Sequence, residues 1–396
     1  MAIPLVMPLE DMPAKSWSKI VARYRTTSAG RSVVEILITA APLCLLWATG
    51  WIAMGHGQWW AMLLTVPAAG FAVRLFMIQH DCGHGAFFRH RLANDWVGRV
   101  IGVFTLTPYS LWRQSHDMHH ATSGNLDRRT LGGVDTLTVE EYAASPKRNR
   151  LLYRLYRHPL VLFGVAPTFL FFLQQRLPVG FMREGPRPWF GVMGANLALA
   201  AFVAAGILLF GPGPFLLIYV PTSMLAATIG VWLFYVQHQF ERTSWARQPD
   251  WNPHDAALYG SSHYDLPAVL RWFTGNIGVH HVHHLNSRIP FYRMGAVLRD
   301  FPKLRDIGRM TLRDSLKTVR LTLWDPQTCR LVSFREAERL IRARGQDEAA
   351  RLRARLERLI SSGPGAQPVA ETRSPPAATV SLHGDRTPAP LEHADS

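Results

Sequence analysis

Four long apolar segments constrain the fold of this chain more than any other feature of its sequence. Each is long enough, at about 1.5 Å per residue in a helix, to cross a hydrocarbon layer of roughly 30 Å. They cover residues 33–54, 59–79, 189–210 and 214–236. Only GHGQ separates the first two, and only GPG separates the last two. Such short, uncharged connections predict four spanning helices arranged as two hairpins.

The composition indicates that membrane and aqueous parts alternate. Of the 396 residues, 48% are hydrophobic and 18% are charged, which excludes a disordered or fibrous protein. The mean hydropathy of +0.02 is nevertheless too low for a chain that lies entirely in a membrane. We therefore predict an all-α integral membrane protein whose four spans carry a mostly helical cytoplasmic cap.

The basic residues orient the spans. The formal net charge is +15, and the predicted hairpin tips contain no Lys or Arg. Nearly all basic residues lie in 1–32, 80–188 and 237–396. Because positive charge stays on the cytoplasmic side, we expect both termini and the long middle loop there. This distribution favours an anionic membrane face over nucleic acid as the reason for the charge, and the start of the chain lacks the pattern of a cleavable signal peptide.

Two shorter apolar stretches, 97–112 and 159–173, are interrupted by Pro108 and Pro167. They are predicted to lie in the membrane interface or to re-enter the membrane rather than to span it. Arg74 falls inside the second span. It is either a functional residue or a side chain that reaches the cytoplasmic interface.

The chain is predicted to have four parts. A cytoplasmic segment (1–32) precedes the membrane domain (33–300), and a helical extension (301–360) precedes a Pro-, Ala-, Ser- and Thr-rich tail (361–396) that should be disordered. Residues 334–360 have helical spacing of leucines among arginines. That pattern fits an amphipathic helix on an anionic leaflet, or a solvated helix against the protein's own surface.

Histidines are the candidate ligands. Nine of the seventeen occur in three short motifs, and eight of these have the spacing of ligands: His80 and His84 in HDCGH, His116, His119 and His120 in HDMHH, and His280, His283 and His284 in HHVHH. Spacings of three and four residues place imidazoles on one helix face. Neutral imidazole suits Fe, Zn, Cu or Ni, and eight imidazoles exceed what one ion can use, so two metal ions are indicated. His238, just beyond the fourth span, is a ninth candidate.

The other ionisable groups have weaker patterns. Asp81 and Asp117 could hold the second ring N–H of a ligand, or be ordinary surface charges. His281 should point away from the ligands beside it. The remaining histidines are expected to be structural or surface residues: His56, His90, His158, His254, His263, His383 and His393. Three scattered cysteines form neither a disulfide framework nor a thiolate metal motif.

The motifs HDCGHGAFF, HDMHHATSGNLDRR, FYVQHQFE and GNIGVHHVHHLNSRIP resemble the histidine boxes of the membrane fatty acid desaturases, especially the bacterial acyl-lipid branch related to the Δ12 and Δ5 enzymes. The resemblance covers roughly residues 30–300. It implies a multi-pass protein of the bacterial inner membrane with two irons at its cytoplasmic surface. The implied ligands, which also form the catalytic centre, are His80, His84, His116, His119, His120, His238, His280, His283 and His284.

Two departures argue against an acyl-CoA-type site. Animal acyl-CoA desaturases have an asparagine one turn before the fourth-helix histidine, where this chain has Phe234. The first box also has three residues between its histidines, as in the acyl-lipid branch, rather than four. The last coordination position therefore has no obvious protein ligand in this sequence.

The implied reaction is O2-dependent introduction of a cis double bond into an acyl chain of a membrane lipid. An unactivated methylene offers nothing to protonate or attack, so a cofactor must carry the step. The alternative is a histidine-box hydroxylase or ketolase of a lipid, alkane or carotenoid. A metal transporter is a remote alternative, because the histidines lie beyond the spans rather than near the bilayer midplane. The small residues Gly70, Thr222, Ser223, Ala226 and Gly230 could line an acyl groove or simply allow close helix packing.

The electrons must come from another protein. The sequence has no haem-binding domain, no G-x-G-x-x-G nucleotide fingerprint after a strand and no four-thiolate motif. A ferredoxin is the expected donor by analogy with the family. Basic residues of the cytoplasmic face could dock this acidic carrier or could meet lipid phosphates. They are Arg128, Arg129, Lys147, Arg148 and Arg150.

Overall fold

The computed structural model describes residues 12–129 and 133–346. The chain divides into two compact units, residues 1–342 and 343–396, and only residues 343–346 of the second unit are described. The predicted disordered tail (361–396) therefore lies outside the described residues. The same holds for most of the predicted amphipathic helix, of which residues 334–346 are helical.

Helices account for almost all regular structure in the described part of the chain. The first seven are α1 (Ala14–Val21), α2 (Ala29–Gly55), α3 (Thr65–Gly83), α4 (Arg91–Phe104), α5 (Tyr109–Thr122), α6 (Val139–Ala144) and α7 (Lys147–Tyr156). The next eight are α8 (Ala166–Thr168), α9 (Pro186–Phe210), α10 (Pro212–His238), α11 (Pro253–Tyr259), α12 (Ala268–Phe273), α13 (His280–Leu285), α14 (Phe291–Asp300) and α15 (Leu312–Thr318). The described part also contains two short pairs of strands. β1 (His263–Asp265) runs parallel to β2 (Arg309–Thr311), and β3 (Leu323–Asp325) runs antiparallel to β4 (Arg330–Val332).

Four helical segments are long and apolar enough to cross a membrane. They are Ala29–Gly55, Trp59–Gly83, Pro186–Phe210 and Pro212–His238. The prediction of four spanning helices in an all-α protein is thereby confirmed, with ends that differ from the predicted ends by a few residues. The two-hairpin arrangement, the cap and the orientation stay predictions.

The spans are apolar on both their inner and their outer surfaces. Between them, Trp47 and Trp51 of α2 pack against Tyr219 and Phe215 of α10. On the outside, α9 leaves large apolar side chains uncovered, with Leu208 86% exposed. An apolar outer surface of this kind is stable only in contact with lipid.

The two shorter apolar stretches form broken helices. Helix α4 ends at Phe104, Leu106 adopts φ +58°, and α5 begins after Pro108, so the predicted interruption is present. Residues 161–176 form an irregular helix with π-helical turns, which is bent by 56° from α7. A bend of this size is compatible with a re-entrant segment or a broken span.

Arg74 forms a buried ion pair between the first two spans. Its guanidinium donates to the carboxylate of Glu35, and both side chains are almost fully buried. The guanidinium also donates to the backbone carbonyl of Trp272 and lies 3.9 Å from the centre of its indole ring. Arg74 therefore neither reaches solvent nor faces the metal ligands, but instead fastens α12 to the spans.

We expect Glu35→Gln to lower the midpoint of thermal unfolding in detergent, because the buried Arg74 cation would lose its counter-charge. Breaking one side of a buried pair costs about 3–5 kcal/mol. Arg23→Gln is the matched control, since the Arg23–Asp300 pair is largely exposed at 3.7 Å and should contribute little. Equal midpoints for both variants would contradict a structural role for the buried pair.

Candidate metal centre

Nine histidines from separate helices converge at the ends of α3 and α10 in two groups. Within each group the candidate ligand nitrogens lie within 4.8 Å of one another. The larger group contains His80, His84, His116, His120 and His283. The smaller group contains His119, His238, His280 and His284. These nine residues are the same nine that the sequence predicted.

The larger group combines the ends of three helices. His80 lies in the last turn of α3, and His84 caps that helix one turn later. His120 is the central member, since its Nε2 lies 3.2 Å from Nε2 of His116 and 3.0 Å from Nε2 of His283. The i, i+4 spacings in α3 and α5 thus place pairs of imidazoles on the helix faces that meet here.

The smaller group is built around His238, the last residue of α10. Its Nε2 lies 3.0 Å from Nε2 of His119 on α5 and 3.0 Å from Nε2 of His280 on α13. His284 completes the group, with its Nε2 3.1 Å from that of His280. The ring of His284 also stacks on that of His120 at a centroid distance of 4.1 Å, so the two groups are direct neighbours.

Seven of the nine imidazoles are held in the neutral form that metal ligation requires. Burial lowers the pKa of those beyond the spans to well below the ordinary histidine value, and neighbouring histidines lower it further. This applies to His84, His116, His119, His120, His280, His283 and His284. At neutral pH their lone pairs are therefore available to a cation.

The donor set fits two transition-metal ions. Nε2 of His80 and Nε2 of His84 are buried and have no hydrogen-bond partner among the described residues. Such an unpaired buried atom costs about 1–3 kcal/mol, whereas a metal ion would bond each lone pair. Groups of five and four imidazoles match the ligand number of iron and similar metals, and they lack the oxygen ligands that Mg²⁺ or Ca²⁺ requires.

Second ring nitrogens are oriented by two different acceptors. One carboxylate oxygen of Asp81 lies 3.4 Å from Nδ1 of His80, and the other accepts the backbone N–H of Phe291. Nδ1 of His238 lies 3.3 Å from the carbonyl of Gly260, a contact that the sequence does not predict. Asp117 instead faces Arg113 at 3.8 Å and is half exposed, so it is an ordinary surface charge.

The other histidines in the described part of the chain belong to neither group. Nε2 of His281 lies 2.8 Å from the carbonyl of Leu304, and Nδ1 of His263 lies 2.6 Å from that of Arg305. His56 is exposed between the first two spans. These residues satisfy local hydrogen bonds or face the surroundings, as the sequence predicted.

Two aromatic residues at the centre were not singled out as site residues. Trp112 stacks on the ring of His116 at 4.7 Å, and Phe234 packs on His119 at 4.9 Å and on His238 at 5.3 Å. Each stands four residues before a histidine on the same helix, a spacing that could have identified it. The two rings shield the imidazoles from water.

An apolar cavity of about 240 Å³ adjoins both histidine groups. It lies between α3, α5, the irregular segment and α10, and its wall includes His80, His116 and His280. Of the small residues proposed from the sequence to line a groove, the wall contains Ser223, Ala226 and Gly230.

The other two small residues serve helix packing. A Cβ at Gly70 would lie 3.0 Å from the ring of Phe273, and the hydroxyl of Thr222 donates to the carbonyl of Ile218. Three of the small residues therefore line a cavity, and the other two make packing or helix contacts instead.

The comparison with known proteins agrees with this geometry. The family model described as fatty acid desaturase matches residues 57–311, which is more than half of the chain. The chain belongs to the fatty acid desaturase family. Such proteins are oxidoreductases, so this desaturase is a membrane enzyme whose histidine clusters are suited to a metal site.

Individual relatives give the same result. A "fatty acid desaturase" of Bacillus subtilis (strain 168) is 40% identical over 81% of this chain and 91% of its own length. An "sn-1 oleoyl-lipid 12-desaturase" of a Synechocystis strain is 27% identical over 67% of this chain and 74% of its own. An "sn-1 acyl-lipid omega-3 desaturase (ferredoxin)" of the same strain is 32% identical over 56% and 61%, respectively.

We expect His84→Ala and His119→Ala each to lower the iron content of the purified desaturase, because each removes a ligand from a different group. Elemental analysis should find about two irons per chain in the unchanged protein and fewer in both variants. His56→Ala is the control and should keep the full iron content, because His56 is exposed and belongs to neither histidine group. Retention of two irons by His119→Ala would contradict the proposed ligand set.

Proposed function

We propose that this desaturase uses O2 to introduce a cis double bond into an acyl chain of a membrane lipid. The observation that carries the proposal is the apolar cavity between the spans, whose wall contains histidines of both groups. A flexible hydrocarbon chain is the ligand that such a wall accommodates. Two relatives are named as an oleoyl-lipid and an acyl-lipid desaturase, which supports a lipid-linked chain as the substrate class.

The nine histidines would hold two irons, five imidazoles on one and four on the other. When bound, the pair supplies the oxidation of an unactivated methylene, which no side chain of the protein can begin. Overall, one O2, two electrons and two protons are consumed, two hydrogens leave adjacent carbons of the chain, and two waters form. We infer that these nine histidines are the catalytic metal ligands.

The protein's own contribution is to position the substrate. Phe76, Phe104 and Leu233 form apolar parts of the wall and would hold the acyl chain by contact alone. Because the histidines occupy a fixed place in that wall, the depth to which the chain enters selects the carbons that react. Trp112 also lines the cavity and packs on His116, so it would keep water from the reacting carbons.

A separate ferredoxin is the proposed electron donor. The name of the Synechocystis omega-3 desaturase includes ferredoxin. In this chain, Arg128 is exposed and Arg129 is half-buried, and both line a cavity of about 40 Å³ that reaches His119 and His238. A basic surface this near the smaller group suits an acidic carrier.

The other basic residues considered for docking lie on α7. The same helix exposes Leu151, Leu152 and Leu155, which are 67%, 54% and 56% accessible. An amphipathic helix of this kind lies in the membrane interface with its cations among lipid phosphates. Lys147, Arg148 and Arg150 are therefore assigned to lipid and not to the electron donor.

The proposed location is the inner membrane of a bacterium, with the histidines and both termini in the cytoplasm. The positive-inside distribution supports this orientation. The iron centre would then face the compartment that contains reduced ferredoxin. We retain the proposed division into a cytoplasmic segment, a membrane domain that ends at residue 300, and a C-terminal extension, whose described part contains three short strands as well as helices.

The decisive experiment is expression in a bacterium without polyunsaturated lipids, together with a ferredoxin and its reductase. Gas chromatography and mass spectrometry of the fatty acids should reveal a new double bond and its position. The His119→Ala variant should give no such product, because the smaller group would lose a ligand. A hydroxylated chain in place of a new double bond would instead establish the hydroxylase alternative.

A second prediction concerns the cavity. Gly230 lies two turns before His238 and lines the wall, and a Cβ added there meets no atom within 4 Å. Gly230→Leu should therefore fold normally but fill the path of the acyl chain. We expect desaturation to fall by about tenfold or more with an unchanged iron content.

Gly194→Leu is the matched control for this variant. Gly194 lies on the exposed side of α9 and also has no atom within 4 Å of an added Cβ. The control should retain activity, because its new side chain would face lipid. Normal turnover and an unchanged product in Gly230→Leu would show that the cavity does not hold the acyl chain.

A further inference from the structure

A second, strongly basic cavity lies apart from the iron centre. It has a volume of about 750 Å³ and is walled by parts of α12, α14 and the segment that leads into β2. Four arginines and two aspartates line it: Arg271, Arg299, Arg305, Arg309, Asp265 and Asp306. The excess of guanidinium groups favours an anionic ligand.

Two of these arginines have no partner of their own. Arg309 is paired with Asp265 at 2.7 Å, and Nε of Arg305 donates to the carbonyl of Leu298 at 3.0 Å. Within the described residues, the side chains of Arg271 and Arg299 form no hydrogen bond and no ion pair. Both are exposed, so their fork-shaped guanidinium groups are free to bind an oxyanion, a geometry that matches phosphate.

The walls of the cavity are held by two of the spanning helices. Phe273, at the end of α12, packs edge-on against Phe71 of α3 at 5.1 Å, and Arg74 of the same span holds the carbonyl of Trp272. On the opposite wall, the hydroxyl of Tyr292 accepts the backbone N–H of Ser28, which caps the first span. One wall is therefore held by the middle of the second span, and the other by the start of the first.

Helix α12 has the composition of a segment that enters the lipid layer. Val269, Leu270 and Trp272 are 67%, 41% and 37% exposed, and they flank Arg271. Apolar side chains next to a cation place that cation at the depth of lipid phosphates. For an unpaired arginine at this depth, lipid phosphates are the nearest anions.

We propose that this cavity binds the phosphate group of an anionic phospholipid from the adjacent leaflet, with Arg271 and Arg299 as its principal contacts. The site is distinct from the acyl cavity. Asn276 and Val279 line the basic cavity, whereas Ile277 and His280, on the same stretch of chain, line the acyl cavity. A lipid bound here would brace the stretch that leads into α13 without occupying the substrate path.

The test measures lipid binding directly and does not depend on desaturation. Dioctanoyl phosphatidylglycerol is titrated into the full-length protein in nonionic detergent, and bound lipid is counted by native mass spectrometry. We expect one saturable molecule per chain, bound more tightly than dioctanoyl phosphatidylcholine. The double variant Arg271→Gln/Arg299→Gln should bind it about tenfold more weakly or worse.

The control removes the same charge from another surface. Arg313→Gln/Arg320→Gln alters two exposed cations outside the cavity and should leave the saturable site intact. An equal loss of affinity in both double variants would show diffuse attraction and would overturn the proposal. Inorganic phosphate that binds as tightly as the lipid would identify a soluble ligand and would overturn the lipid assignment.

Folding and the iron centre are checked separately. Iron content and the elution volume in size exclusion should be the same in both double variants, because none of the four arginines contacts a histidine of the centre. Loss of lipid binding with full iron content supports the headgroup site alone. If the desaturase proposal failed while lipid binding persisted, the headgroup site would stand, so the two proposals are distinguishable.

Discussion

The convergence of nine imidazoles is the constraint on which the rest of the structure depends. Their ring nitrogens are buried or half-buried and lie about 3 Å apart in several pairs, such as His119 with His238. A pair of ring nitrogens about 3 Å apart is stable when it shares a proton or when both lone pairs bind a cation, and a metal ion in each group would satisfy all of its lone pairs at once. Helices α3, α5, α10 and α13 must therefore meet at one place. The segments that contain α5 and α13 must be held in position against the spans.

Part of that support comes from within the membrane. The Glu35–Arg74 pair joins the first two spans and fixes the carbonyl of Trp272 in α12. From the same span, Asp81 accepts the backbone N–H of Phe291 and contacts the ring of His80. Glu35, through Arg74, thus holds the chain before the third histidine motif against α3, and Asp81 holds the chain after it. Burying these two carboxylates is compatible with stability because each has a specific partner.

Aromatic packing divides the space around the metal centre. Phe234 stands between the acyl cavity and the smaller cavity beside Arg128, since it lines both. In the place where acyl-CoA desaturases have an asparagine, this ring contacts His119 and His238 but offers no ligand atom. The smaller group therefore contains four candidate ligands against five in the larger group, and Phe234 adds none.

The sequence by itself determined the four spans and the histidine motifs, because length, apolar composition and the i, i+3, i+4 spacing are local properties, and the resemblance of those motifs to known histidine boxes indicated the desaturase family. Only the tertiary structure decided how the histidines divide between the groups, since His119 and His120 are adjacent in α5 yet belong to different ones. It also decided the partner of Arg74, the carbonyl of Gly260 beside His238 and the basic cavity. Those contacts join residues that are far apart in the chain, and no local pattern specifies which of them meet.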